Sequence, residues 1–390
     1  MRKAQFPILL LCSLITWWVG AGLMPLLPIY AGRLGAAPAQ VGLYLAFAFL
    51  ALAGGSVSAG WLASRYPRRR LLILVSLPTA PALWLMGQVT VLWQLALCTA
   101  TVWFSGGASL VLISVLVGRL ADVQERGRHF GLLALTTALA GVFGAVTGPI
   151  ADRWGYTALF TIVAAVWLAQ VGGAVWLAPE ARVVSAAPPT DRSKASPTGG
   201  LFFLLLMVNL LVSSGSFIAN IGRSLAMDGQ GFAATAVTVT AAVGSVAALL
   251  FNPLVGALSD RYPRPRLLML TYLVSGLSLL VLATATTLTG FTLVALLMAM
   301  AGAERAVAAA LVTDLVPTAA LDQAMAIFDG VRWIGGIVGF AGVGYAFQQW
   351  GVGPTLWLTL LLPTLAVGLL LLAPWPTRNA ALDILPQHLT

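Results

Sequence analysis

Two pairs of opposite charges lie inside stretches that are otherwise apolar. Glu304 and Arg305 sit in LLMAMAGAERAVAAALVTDL, and Asp329 and Arg332 sit in AIFDGVRWIGG. A charge kept far from water is costly, and it marks a solute pathway, a proton relay or an ion pair. The carboxylate of Glu304 can carry a proton. Arg305 can hold that carboxylate charged or bind an anionic group, and a static ion pair is the competing role. Neighbouring residues lie about 100° apart on a helix, so the two do not stack as i,i+4 partners do. Asp329 and Arg332 are spaced i,i+3 near the expected cytoplasmic start of their segment. That spacing predicts a same-face pair or a gating latch.

The first half of the chain carries no acidic residue inside its apolar segments. Trp17, Trp18, Trp103 and Phe104 are candidates for an apolar, aromatic cavity wall there, suited to hydrophobic or weakly cationic compounds, with a lipid-facing or interface anchor as the competing role of a lone tryptophan. In the second half Asn209, Ser213, Ser214, Ser216 and Asn220 form a polar stripe, either a substrate surface or glue between helices. No phosphate-binding GxxxxGK[ST] loop is present, so energy for work on a solute must come from a gradient or from the solute itself. His129 and His388 are isolated, and Cys12 and Cys98 lie in apolar runs. These residues predict no metal centre, no cofactor and no catalytic constellation.

The elements that would position such residues are membrane helices. The chain of 390 residues is 59% hydrophobic and only 8% charged, with mean hydropathy +0.94. Soluble domains carry about 25% charged residues. A helix needs about 20 residues to cross the ~30 Å hydrocarbon layer. Twelve segments meet that length: 5–30, 38–62, 70–88, 91–117, 131–150, 156–178, 201–221, 232–257, 267–287, 290–314, 325–347 and 353–375. The first is read as a retained span. No ten-residue alternation supports a β-barrel. The net charge of +9 is spread over short loops, which argues against nucleic acid as partner. With both termini inside, the internal segments hold sixteen Lys and Arg and the external loops three, Arg33, Arg153 and Arg223. This bias predicts cytoplasmic termini.

Residues 179–200, rich in Pro, Ser and Ala, read as a linker. They divide a bundle at 1–178 from a second at 201–376, with a tail at 377–390. The halves repeat. RYPRRRLLIL at 65–74 returns as RYPRPRLLML at 261–270, 196 residues later. Each copy caps the turn from the second to the third span of its half.

These turns resemble the loop signature G-x-x-x-D-R-x-G-R-R/K of the major facilitator superfamily. Gly60, Ser64, Arg65, Arg68, Arg69 and Arg70 carry it in the first half, and Gly256, Asp260, Arg261, Arg264 and Arg266 in the second. Gly32 with Arg33, and ADVQERGRHFG at 121–131 with Asp122 and Arg128, are similar to the family as well. GAVTGP at 144–149 resembles a glycine-proline motif of span 5 in antiporters, with Gly144, Gly148 and Pro149 able to bend the helix. Ser64 stands where the family has aspartate, and Pro67 and Pro263 stand where it has glycine.

The resemblance implies an all-α integral membrane protein of two six-helix bundles related by an axis normal to the membrane. It implies a solute site between them and transport by rocking. It implies a monomer in the plasma membrane of a prokaryote, with a small-molecule substrate, protons as coupling ion and lipids as partners. The loop residues would serve as a cytoplasmic gate, to which Asp329 and Arg332 would belong. Proton-coupled efflux of hydrophobic or amphipathic compounds is the expected function. Carriage of a sugar, amino acid or organic anion, and flipping of a lipid, are the alternatives. Accessibility labelling should find residues 65–70 and 261–266 on the same side of the bilayer. Opposite sides would contradict the parallel repeat.

Overall fold

The computed structural model describes residues 5–63, 65–120, 126–178, 199–317 and 320–375, and every regular element among them is helical. Twelve spans form two six-helix halves. Span 1 is Gln5–Leu23 continued by Leu27–Arg33, span 2 is Pro38–Ala63, span 3 is Arg68–Met86 and span 4 is Leu92–Leu120. Spans 5 and 6 come from one apolar stretch, Arg128–Trp176. It is cut at Gly155, where φ 80° and ψ 170° turn the chain back. Span 7 is Gly200–Gly229, span 8 Ala234–Ser259 and span 9 Arg264–Thr284. Span 10 is Leu288–Gly302 followed by Glu304–Leu315, span 11 is Leu321–Trp350 and span 12 is Val352–Leu372.

The repeat extends to the backbone. Four glycines take positive φ, between 79° and 81°: Gly35, Gly155, Gly231 and Gly351. Gly35 and Gly231 turn spans 1 and 7 into spans 2 and 8. Gly155 and Gly351 turn spans 5 and 11 into spans 6 and 12. Each pair is 196 residues apart, the same offset as the two RYPR turns. An L-residue with a Cβ pays for that conformation in steric strain, so glycine holds all four tight loops. These four loops share one face of the molecule, here called the loop face; the RYPR turns lie on the opposite, terminal face.

The two bundles meet towards the loop face. One buried apolar cluster crosses between them there, joining Tyr30 and Phe49 to Phe340 and Val237. Towards the terminal face the cores separate. One cluster there is built only from the first half, around Leu72 and Leu112, and another only from the second, around Leu268 and Tyr272.

The seam is closed by backbone against backbone. A methyl group at Gly344 of span 11 would lie 2.6 Å from the Pro38 carbonyl and 2.7 Å from the Gly42 Cα of span 2. At the related seam, one at Gly148 of span 5 would strike the Thr238 hydroxyl and lie 2.5 Å from the Ala234 carbonyl of span 8. Small residues allow this approach, and in lipid close packing rather than apolar burial drives helix association.

Span 5 is bent where it meets this seam. Gly144–Val146 form a 3-10 turn, and Gly144 packs on Gly22 of span 1. Pro149 has no N–H to give to the carbonyl four residues back, that of Ala145. Thr238 of span 8 donates its hydroxyl to that carbonyl at 3.1 Å. The bend thus exposes an acceptor that the other bundle satisfies.

Each seam ends in a cap supplied by the opposite bundle. Asp152 accepts from the backbone N–H of Ala234 at 3.0 Å and of Thr235 at 2.7 Å, and from the Thr235 hydroxyl at 2.6 Å. Gln348, its counterpart in the second half, accepts from the Ala39 N–H at 3.3 Å. Free N–H groups and the helix dipole at the start of spans 8 and 2 favour these oxygens, most of all the carboxylate.

Substitutions at the seams should loosen the loop face. A cysteine at Asn220, below the seam, reports it through a membrane-impermeant thiol reagent applied from the loop face, in protein lacking Cys12 and Cys98. Gly148→Leu and Gly344→Leu should speed its labelling by about tenfold for each 1.4 kcal/mol of closure lost. Asp152→Ala removes a cap worth about 0.5–2 kcal/mol and should speed it severalfold. Unchanged rates in all three would show that the seam does not hold the face shut.

Candidate functional site

Between the bundles, beneath the seam, lies a cavity of about 370 Å³. Ligand cavities run from about 300 to 1,000 Å³, so this one suits a small solute. Its first-half wall is apolar, with Ala21, Met24, Pro25, Pro28 and Leu45. Its second-half wall is mixed and supplies every polar side chain of the lining, set between residues such as Ile221, Ala295 and Met298. Ser216, Asn220 and Ser224 project from span 7 at successive intervals of four, one face of a helix. Ser245 of span 8, Ser275 and Ser278 of span 9, Arg223 and Arg332 are its other polar residues.

The buried charges pair differently from the sequence expectation. Glu304 is 4% exposed and opens the second helix of span 10, after a break at Ala303. Arg332 Nη1 donates to Glu304 Oε1 at 2.8 Å. Arg305 faces Asp329 instead, at 4.0 Å and half exposed on both sides. The expected partnership of Glu304 with Arg305 is therefore corrected, as is the same-face pair of Asp329 with Arg332. The second helix of span 10 lies against span 11, so each charge meets an opposite one across the helix contact. The carboxylate also sits in the first turn of its helix, where the dipole favours it. Span 11 begins at Leu321, earlier than expected, which draws Arg332 away from the end of the helix and into the cavity wall. The sequence expectation placed Arg332 with Asp329 in a cytoplasmic gate; the structure pairs it inside the membrane.

The polar stripe of span 7 divides by height. Asn209 Nδ2 donates to the Phe328 carbonyl at 2.7 Å, and the Ser214 hydroxyl is shared between the Leu210 carbonyl of its own helix at 2.8 Å and the Gly335 carbonyl of span 11 at 3.0 Å. Ser213 turns back to the Asn209 carbonyl and packs on Gly335. These three bind span 7 to span 11, whereas Ser216 and Asn220 face the cavity.

None of the four expected aromatic residues lines this cavity. Trp17 and Trp103 border a separate recess of about 50 Å³ within the first half. Trp18 donates to the Phe143 carbonyl at 3.0 Å, fastening span 1 to the bend of span 5. Phe104 is exposed, its backbone packed on Gly55. The aromatic cluster lies elsewhere: Phe49 of span 2 meets Phe340, Phe217 and Trp333 of the other bundle at ring distances of 4.9, 5.1 and 5.8 Å.

The basic turns act within their own bundles. The Arg65 guanidinium lies 3.9 Å over the Trp61 ring, and Arg69 donates to the Val175 carbonyl at the end of span 6 at 2.6 Å. In the second half Arg264 bonds to Asp314 and to the Ala310 carbonyl at 3.0 Å, with Asp260 at 3.9 Å. Arg128 and Arg261 are exposed, and Gly60 and Gly256 have open space beside them. Ser64 and Asp122 lie outside the described residues, as does the linker 179–198.

Sequence reasoning missed two features. Arg223 was expected in an external loop because the apolar run ends at about residue 221. Span 7 continues to Gly229, and Arg223 is 4% exposed in the cavity wall. Asp152 was read as an external charge only. The 196-residue repeat, which aligns it with Gln348, was the available signal for its role at the seam.

The sequence matches the Major Facilitator Superfamily over residues 9–227 and again over 202–386. Multidrug resistance protein MdtG of Serratia proteamaculans (strain 568) is 29% identical over 302 residues, 70% of this chain and 71% of that protein. The same-named protein of Klebsiella pneumoniae (strain 342) is 29% identical over 184 residues, so the match spans only 43% of each. Among solved structures, the nucleoside transporter NupG aligns with a TM-score of 0.78 at 15% identity, covering 95% of this chain and 99% of that one. A bacterial homolog to the human lysosomal transporter Spinster, inward-facing and occupied, aligns with a TM-score of 0.76 at 15% identity, covering 95% and 96%. This chain belongs to the Major Facilitator Superfamily, and it is a multi-pass membrane transporter that moves small molecules by alternating access rather than an enzyme.

Proposed function

We propose that the protein exports small amphipathic compounds from the cytoplasm in exchange for protons, at the plasma membrane of a prokaryote. The observation that carries this reading is the buried Glu304–Arg332 pair, with Arg332 in the cavity wall. A carboxylate paired inside the membrane can take up and release a proton only as its surroundings change, which couples it to rocking. A cavity whose polar groups all come from one bundle, facing an apolar wall on the other, suits an amphipath. The likeness to proteins named for multidrug resistance supports export.

With both termini in the cytoplasm, as the loop charges favour, the closed loop face is the outer face. The described conformer then receives solute from inside, with Glu304 ionised and Arg332 held. Solute binding favours rocking, the seams at Gly148 and Gly344 part, and Asp152 leaves the start of span 8. A proton entering from outside then discharges Glu304 and frees Arg332. Return to the inward state delivers the proton to the cytoplasm and remakes the pair. Arg305 with Asp329 steadies the neighbouring contact of spans 10 and 11.

Proteoliposomes with an imposed pH gradient and a panel of dyes test the coupling. Glu304→Gln should abolish gradient-driven accumulation while downhill exchange survives. Undiminished accumulation in that variant would remove Glu304 from coupling. Stability gives a second check. Arg332→Leu leaves a buried carboxylate without its partner and should destabilise by about 3–5 kcal/mol. Adding Glu304→Gln should recover most of that loss in thermal unfolding in detergent. Additive losses would mean that the two groups act independently.

A further inference from the structure

Arg223 is the one cavity-wall charge that the mechanism above does not use. It is 4% exposed, and its Nε–H has no acceptor. Among the described residues no carboxylate lies within ion-pair distance of its guanidinium, and no hydrogen bond to it is found. Among the described residues the cavity lining contains no acidic one. Its other cation, Arg332, is already matched by Glu304. One positive charge in the cavity therefore stands uncompensated.

A buried cation without a partner is held at a cost of several kcal/mol, which an arriving anion offsets. A guanidinium presents five donors in a planar fork that fits the oxygens of a carboxylate, phosphate or phosphonate. Asn220 and Ser224 flank Arg223 along span 7, and Ser275 adds a hydroxyl from span 9. Across the cavity Ala21, Met24 and Leu45 offer only apolar surface.

We infer that this cavity takes a small amphipathic oxyanion, with Arg223 as its counter-ion and the first-half wall against its apolar part. The inference rests on the reading that this cavity is the transport site, and it narrows the substrate class. The oxyanion can belong to a soluble compound or to a lipid headgroup. A cavity of about 370 Å³ accommodates a group the size of phenylphosphonate.

The test uses the full chain in phosphatidylcholine vesicles, with tryptophan fluorescence read during titration with phenylphosphonate, benzoate or benzyl alcohol. The two anions should bind saturably and the neutral alcohol should not. Arg223→Gln should weaken anion binding by about 30-fold or more, and Arg223→Lys by less, because it keeps the charge but loses the fork. Competition by added phosphatidylglycerol would support the oxyanion site and assign it to a headgroup; its absence, with phenylphosphonate bound, would assign it to a soluble anion. Equal binding of benzyl alcohol and the anions would overturn the inference, and so would native affinity in Arg223→Gln. Should neither variant fold, the comparison of anion with alcohol on the native protein decides. Dye accumulation under a pH gradient, measured in the same vesicles, separates the two claims. Accumulation without anion binding removes the oxyanion and leaves proton-coupled export. Anion binding without accumulation keeps the oxyanion site and removes proton-coupled export.

Discussion

The structure depends on two places where the backbone of one bundle touches the backbone of the other. Inside a bilayer, apolar side chains gain little by leaving lipid for protein, so bundles join through close packing and hydrogen bonds. Gly344 against Pro38 and Gly42, and Gly148 against Ala234 and Thr238, supply the packing. The Ala145 carbonyl freed by Pro149, and the helix starts capped by Asp152 and Gln348, supply the bonds. These contacts lie within the buried apolar cluster that joins Tyr30 and Phe49 to Phe340 and Val237, so the polar bonds fix the register of an interface that is otherwise apolar.

What lies beneath the seam follows from the same low-dielectric setting. Charges there are scarce. Glu304 is matched by Arg332 across spans 10 and 11. Arg223 is unmatched among the described residues, and it lines the same space. Closure of the seam shields both from the loop face. Opening the seam would hydrate them, so the position of the bundles sets what each charge can bind. In the proposed cycle a glycine contact at one end of the molecule bears on the charges in its middle.

Much of the architecture was legible in the sequence. Twelve apolar runs, a Pro/Ser-rich divide and a doubled RYPR turn sufficed for two six-helix halves, since hydrophobic length and repetition are local signals. The repeat carried more than was taken from it: Gly35, Gly155, Gly231 and Gly351 obey it to the residue, and so do Asp152 and Gln348. The pairing of charges was not legible. Glu304, Arg305, Asp329 and Arg332 admit several pairings on spacing alone, and only the rotation of span 10 against span 11 selects one. Arg223 was lost because hydropathy falls before the helix ends. The aromatic wall placed at Trp17, Trp18, Trp103 and Phe104 failed to reach the cavity for a related reason. Composition tells which residues a helix has, whereas its rotation decides which of them meet the solute.

Alternating access requires the two faces to open in turn about the cavity. Paired spin labels measure this most directly. Trp154 and Trp350 are exposed, equivalent by the repeat and on the loop face, while Tyr66 and Tyr262 are their counterparts on the terminal face. Distances within each pair, measured by electron–electron resonance across a range of pH, should form two populations that change in opposite senses. When the 154–350 distance lengthens, the 66–262 distance should shorten. Two fixed distances, or two that lengthen together, would contradict alternating access in this protein.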